Sequence, residues 1–453
     1  MGNKIKNLIF KIVITFICVD VVAFPLPQIP DKFSDSKMTK KVAGESRFLN
    51  LDLESERFVT KKRAEWKACH QEYFYYPESG HRDSLSTFLK SNNYLNSLSE
   101  MEEMNLTESE VNQQPWSGDY WSYADGILGS RYQDEGFFHI YNWLPRFEYI
   151  QNNPAPLLIK TKGQLGVNTL SPSEKYDLII GDQRFDLTAS MWNQGKRYYD
   201  QTGSVEPWMG ICHGWASAAI MEPRPKTSIE VVSYDNNWKI NLNPSEIKGL
   251  VSYSWATNPY PADTLGSRCN VKDPPRDSNG RVLDPDCQDL NPGSWHIAMV
   301  HLVGQLKKPF VMDATYDYEV WNQPIVDYKY AYFNPQTGKS AETLDEAMIE
   351  LNDFVDDPFS KARSPKAKAV VGIVMKVGYV IETSANSSQT DSPKDDVIRW
   401  VSYKYDLEMD KDSKILGGEW HSFGHPDFIW YPRNGPRGPG DARGLPRRRG
   451  SGI

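Results

Sequence analysis

The stretch "PWMGICHGWASAAI", Pro207 to Ile220, sets a cysteine between two glycines and follows it with Gly214, Ala216, Ser217, Ala218 and Ala219. Small residues at this density, with Trp215 as the one large apolar side chain before Ile220, predict a helix buried against other elements at close range, where larger side chains would not fit. Pro207 and Gly210 supply the loop before it. At the helix start, Cys212 would feel the partial positive charge of unpaired backbone N–H groups, an effect that lowers a thiol's pKa. The stretch thus demands a fold that seats one tightly packed helix, and it offers a thiol at the end of that helix.

The sequence after this helix reads mainly as strands. "WHIAMVHLVG" and "KPFVMDATY" read as two strands meeting near Gly304 and Pro309, followed by "AVVGIVMKVGYVIE", "IRWVSYKYDLEMD" and "DFIWYP", with a turn at "SKILGGEW". Helix first and strands later, without strand-helix alternation, predicts an α+β fold in which the cysteine helix packs on an antiparallel sheet. With 14 Trp, 24 Tyr and 18 Phe there is ample apolar surface for one large core. The aromatic, glycine-rich character begins at Pro115, which sets the catalytic domain at residues 113–432. Residues 24–112, charged and Ser-rich, read as an N-terminal helical extension or pro-segment, and residues 433–453 as a basic disordered tail.

Residues 1–23 read as a signal peptide, with lysines around an apolar stretch from Leu8 to Val22 that is too short and interrupted for a stable membrane span. The expected setting is therefore secreted and oxidising, either extracellular or the periplasm of a Gram-negative bacterium. The net charge of −8 argues against nucleic acid as a partner, because phosphate binding needs a basic face.

Five cysteines become four once Cys18 leaves with the signal. Cys269 and Cys287 flank a loop rich in Asp, Pro and Gly, where a disulfide would contribute roughly 3 kcal/mol by restricting the unfolded chain. Cys69, three residues after Trp66 in a helical pattern, reads as a packed apolar residue. Cys212 is then the unpaired thiol. The same loop carries Asp273, Asp277, Asn279, Asp284 and Asp286, hard oxygens suited to calcium but without EF-hand spacing. His421 and His425 have a metal-like spacing, yet no third ligand accompanies them, and a structural turn is the preferred reading.

A thiolate nucleophile needs a base and a group to orient that base. His213 is adjacent, but on a helix its side chain points about 100° away from the thiol. On a strand, His296 and His301 face opposite sides, so one of them at most meets Cys212; the spacing to Asp313 favours His296. Asp313, with Asp317 as the alternative, would accept the imidazole Nδ1 proton across a hairpin. Trp208 is the candidate oxyanion donor through its indole N–H. Trp208, Trp295 and Trp321 are the candidate walls of a substrate channel.

The order Cys, His, Asp and the helix start at Cys212 resemble papain-like thiol enzymes. Taken together, "PWSGDYW", "DGILGSRY", "WMGICHGWA", "NPGSWH", "VMDATYDYEVWNQP", "GGEW" and "HPDFIW" resemble the secreted transglutaminase elicitor family of oomycetes, which also has bacterial members. "VWNQP", Val320 to Pro324, is similar to the core of the surface peptide that plants recognise in the oomycete proteins, and the chain departs from that peptide after Pro324. The resemblance implies a papain-like core and a calcium-dependent protein-glutamine γ-glutamyltransferase. By position Cys212 matches the family's nucleophile, His296 its histidine and Asp313 its acid. The implied partners are glutamine-containing proteins and primary amines or lysine side chains. A papain-like protease or glutamine deamidase, with residues 24–112 as an inhibitory pro-segment, is the alternative enzyme, and a non-catalytic surface recognition protein is the non-enzymatic one.

Overall fold

The computed structural model describes residues 84–258, 261–267, 275, 290–314, 319–422 and 424–433. Helices dominate the first half. Helix α1 (Pro172–Ile180) and helix α2 (Asp186–Thr202) precede α3 (Cys212–Met221), the cysteine helix, and α4 (Pro244–Thr257) packs beside it. Two of the four start on a capping box: Ser171 with Glu174 for α1, and Asn243 with Glu246 for α4. In each, a proline at the first helical position adds a pre-set φ where no N–H is needed.

The small residues of α3 have a direct consequence in packing. A Cβ on Gly214 would lie 2.3 Å from the Ser252 carbonyl oxygen and 2.6 Å from the Ala256 side chain of α4. Only a residue without a side chain allows this backbone approach. On the other side of α3, a Cβ on Gly118 would lie 2.3 Å from the Trp215 ring, and the indole N–H of Trp215 donates to the Trp116 carbonyl at 3.1 Å. The segment "PWSGDYW" is thereby strapped against the cysteine helix.

The sheet is antiparallel throughout, as expected. Seven of its ten strands among the described residues form its main path: β1 (Ala262–Gly266), β2 (Val311–Asp313), β3 (Asn322–Phe333), β4 (Ala369–Ile381), β5 (Val397–Met409), β6 (Ile415–Trp420) and β7 (Phe428–Pro432), in the spatial order β6-β5-β4-β3-β2-β7-β1. The C-terminal strand thus inserts between β2 and β1. Helix α3 packs on one face, among Val311, Val326, Val380 and Trp430. Met312, Ile325, Tyr330, Met375, Tyr405 and Ile429 form a second core on the other face. Successive side chains on a strand point to opposite faces, so these two lists separate the sheet into a cysteine side and a far side.

Two sequence expectations change here. The run "WHIAMVHLVG" is not a strand: helix α5 (Pro292–Met299) starts at an N-cap, where Asn291 Oδ1 accepts from the Gly293 N–H at 2.8 Å, and passes into a π-helical stretch, Val300–Gln305. A continuous apolar run fits a buried helix as well as a buried strand, and the Asn-Pro start decides for the helix. The turn assigned to "SKILGGEW" is mostly strand β6, with the turn itself confined to residues before it. The described part of the N-terminal segment packs on the far-side core. Phe88, Leu98, Met101 and Leu106 are buried in the far-side core, and Glu108–Glu110 pairs with β3. The calls on residues 1–83, including the signal peptide and Cys69, and on 434–453 fall outside the described residues. No described helix is long and apolar enough to cross a membrane.

Candidate active site

Cys212 is the first residue of α3 and lines a cleft of about 540 Å³. Tyr123, Tyr198, Trp208, Phe428 and Trp430 give the cleft its aromatic walls. The Sγ atom lies 3.4 Å from Asn322 Nδ2 and 3.7 Å from the Val320 carbonyl oxygen. Asn322 Oδ1 accepts from the Trp430 indole N–H at 2.8 Å. Because an indole N–H only donates, this contact fixes the amide's orientation and turns its NH2 to the sulfur. Sequence reasoning passed over Asn322, a buried amide within "VWNQP"; its place beside Asp313 in the hairpin was the available signal.

Asp313 stands directly opposite Asn322 in the β2–β3 pairing and therefore shares its face with the cysteine. Its Oδ1 accepts the Trp321 backbone N–H at 3.0 Å. The Trp321 ring stacks on Tyr120 at 5.5 Å between centroids, and its indole donates to Glu319 at 3.0 Å. Cys212, Asp313, Trp208 and Trp321 are thus gathered on one side of the sheet.

His296 and Trp295 are not gathered there, which corrects their expected placement. Both lie on α5, on the far face. His296 is fully buried, with Nδ1 2.8 Å from the Tyr405 hydroxyl and its ring 4.8 Å from that of Tyr330. Burial lowers its pKa to about 3, so the ring is neutral at physiological pH. Trp295 is equally buried, against Phe310, Tyr403 and Trp420. The physical reason is the helix: once residues 292–299 are helical, they cover the far-side core, and the sheet separates them from the thiol. His301 contacts Gln305 at 2.9 Å on the same helical stretch. His213 does line the cleft, with Nε2 3.3 Å from the Ala256 carbonyl, and burial lowers its pKa.

The thiol itself is not activated at rest. Burial, followed by the charge of Glu382, pushes it up to about 11; the Asn322 contact opposes this and the Asp313 charge adds to it. The helix-start effect expected to lower it is outweighed by desolvation. Replacing Asn322 by Leu removes the donor that favours the thiolate. The midpoint of Cys212 alkylation against pH is expected to rise by about one unit; an unchanged midpoint would show that the amide does not act on the sulfur.

Cys269, Cys287, Asp273, Asp277, Asn279, Asp284, Asp286 and Asp317 lie outside the described residues. Among the described residues no group of three or more His, Cys, Asp or Glu side chains is arranged to hold a metal ion. His421 instead bonds Asp406 through Nε2 at 2.8 Å, and His425 stacks on Trp420.

The model of the family described as "Transglutaminase elicitor" matches residues 88–440. Among solved structures, the chain is similar to the crystal structure of the GP42 transglutaminase from Phytophthora sojae, with 21% identity, a TM-score of 0.50, and coverage of 78% of this chain and 90% of that one. At this identity the likeness is one of fold. No curated protein matches the chain.

Proposed function

The chain belongs to the transglutaminase elicitor family, and on that premise we propose that it is a secreted protein-glutamine γ-glutamyltransferase working through a Cys212 thioester. The observation that carries the reading is the thiol at a helix start, lining an aromatic cleft, with the Asn322 amide held against the sulfur by Trp430. In this reading the Cys212 sulfur loses its proton and attacks the carboxamide carbon of a substrate glutamine. The backbone N–H of Cys212, at the first helical position, has no intrahelical acceptor and can donate to the oxyanion. Collapse breaks the C–N bond, ammonia leaves, and a thioester remains. A lysine amine then attacks the thioester, loses a proton, and releases the sulfur, leaving an isopeptide bond.

Hydrolysis and transfer share this thioester and differ in which nucleophile reaches it. The aromatic walls of Tyr123, Trp208, Phe428 and Trp430 disfavour water and suit the alkyl stem of lysine. Asp313 belongs to the site as a charge beside the sulfur. Secretion rests on the family's extracellular character and on the reading of residues 1–23. Calcium dependence rests on the family resemblance alone.

The test is incorporation of a labelled primary amine into a glutamine-rich protein, with calcium or with chelator. Calcium-dependent labelling that outpaces ammonia release in the absence of amine is the expected result. Ammonia release at the same rate with and without amine would make the protein a deamidase, and fragmentation of casein would make it a protease.

A further inference from the structure

Glu382 follows the last residue of β4. Both of its carboxyl oxygens are buried, and neither has a hydrogen-bond partner among the described residues. Buried carboxyl groups ordinarily have partners, so an orphaned one needs an explanation. Val380, two residues earlier, packs in the core of the cysteine side, and strand alternation turns Glu382 to the same face. The β3–β4 register pairs Ile325 with Tyr379. Carried on to the strand ends, that register sets Glu382 across from Asn322, as Asp313 is across from Asn322 on the other side. Asp313, Asn322 and Glu382 then form a row on three neighbouring strands, with the Cys212 sulfur over its centre at 3.4 Å from the amide.

The strap "PWSGDYW" holds this corner in place. The Tyr120 N–H donates to the Thr383 carbonyl at 2.8 Å, and the Thr383 N–H donates to that of Gly118 at 2.7 Å. The ionisable groups near Glu382 are Cys212 from the helix above the row, and Asp119 and Tyr120 from the strap, with Asp313 at the other end of the row beside the sulfur. Asp119 is itself bonded to Thr383 and Ser245, with Lys248 beyond it, while Glu319 lies beside Tyr120 and His213 lines the cleft. Burial, then the Asp119 charge, holds the Glu382 carboxyl well above the usual carboxylate range. A thiol and a carboxyl that each disfavour the other's charged form titrate as a pair.

We propose that Glu382 is the proton partner of Cys212. It does the work that sequence assigned to His296, which the fold places on the far face. This rests on the thioester reading above. As the C–S bond forms, the Glu382 carboxylate takes the thiol proton; as the C–N bond breaks, the resulting acid gives that proton to the departing ammonia. In the second half the carboxylate takes a proton from the attacking amine, the new C–N bond forms, and the C–S bond breaks. The thiolate then recovers the proton from Glu382. A carboxyl whose proton affinity is raised by burial is a stronger base toward the thiol than an exposed one, and it can return the proton to the leaving group.

Glu382→Gln separates this role from simple packing, because its two readouts are expected to move in opposite senses. The pH midpoint of Cys212 alkylation by iodoacetamide, followed on the Cys212 peptide by mass spectrometry, is expected to fall by about one unit as the competing charge disappears. Amine incorporation is expected to fall about a hundredfold or more. Glu382→Asp keeps the charge, and the raised midpoint should persist in it, which covers the case in which the glutamine variant does not fold. An alkylation midpoint unchanged by Glu382→Gln would overturn the proposal, as would incorporation within about threefold of wild type. Alkylation needs no turnover, so a wild-type protein that transfers no amine would defeat the transglutaminase reading and still leave the Cys212–Glu382 coupling measurable.

Discussion

Cys212→Ala is expected to abolish amine incorporation, by about a millionfold, because loss of a covalent nucleophile removes the thioester path rather than weakening one contact. Stability is expected to change by no more than about 1 kcal/mol, since among the described residues the thiol makes two long polar contacts and Ala preserves the backbone of a helix already rich in alanine. The two measurements must be read together. Residual incorporation above about one part in a hundred would place the nucleophile elsewhere. Lost activity accompanied by several kcal/mol of lost stability would mean that Cys212 serves the core, which is the reading its neighbours Ala216 to Ala219 make natural. Denaturant unfolding beside the labelled-amine assay distinguishes these cases.

Much of the fold was legible because its signals were local. Gly214 and the alanines after it announced a close helix contact, and that contact is the backbone approach to Ser252. The β-branched and aromatic runs at 369–381, 397–409 and 428–432 announced strands, and strands are present. The placement of His296 was not legible, and one ambiguity explains it. "WHIAMVHLVG" is apolar throughout, so periodicity is silent, and Asn291-Pro292 was the only local evidence for a helix. Reading it as a strand put His296 next to Asp313, and the actual helix puts it behind the sheet. Asn322 and Glu382 were missed for another reason. Each is one polar residue at a strand end, and each gains meaning only from register, which joins residues far apart in sequence.

Arg363→Leu is expected to cost about 3–5 kcal/mol of stability, the largest loss expected from a single change away from the cleft. Its buried guanidinium donates to Asp357 at 2.9 and 3.0 Å and to Asp406 at 2.6 and 2.9 Å, and it reaches Glu408 at 3.5 Å. Removing it would strand three buried carboxyl groups, two of them on β5. Burial by itself would raise the Asp406 carboxyl, but the Arg363 charge and the His421 hydrogen bond carry it well below the usual range. A depressed carboxylate contributes stability that is present above its unfolded pKa of about 4 and is lost as pH falls below it. Glu408, pushed up to about 7 by burial against the pull of Arg363, has the opposite sign and weakens the fold as pH rises from about 4.5 toward 7. The gap between wild type and Arg363→Leu in urea unfolding should therefore be wide at neutral pH and narrow below pH 4 or so. A gap of less than about 1 kcal/mol at neutral pH would show that the carboxyl groups find protons or water without the arginine, and that the network fixes geometry more than it stabilises.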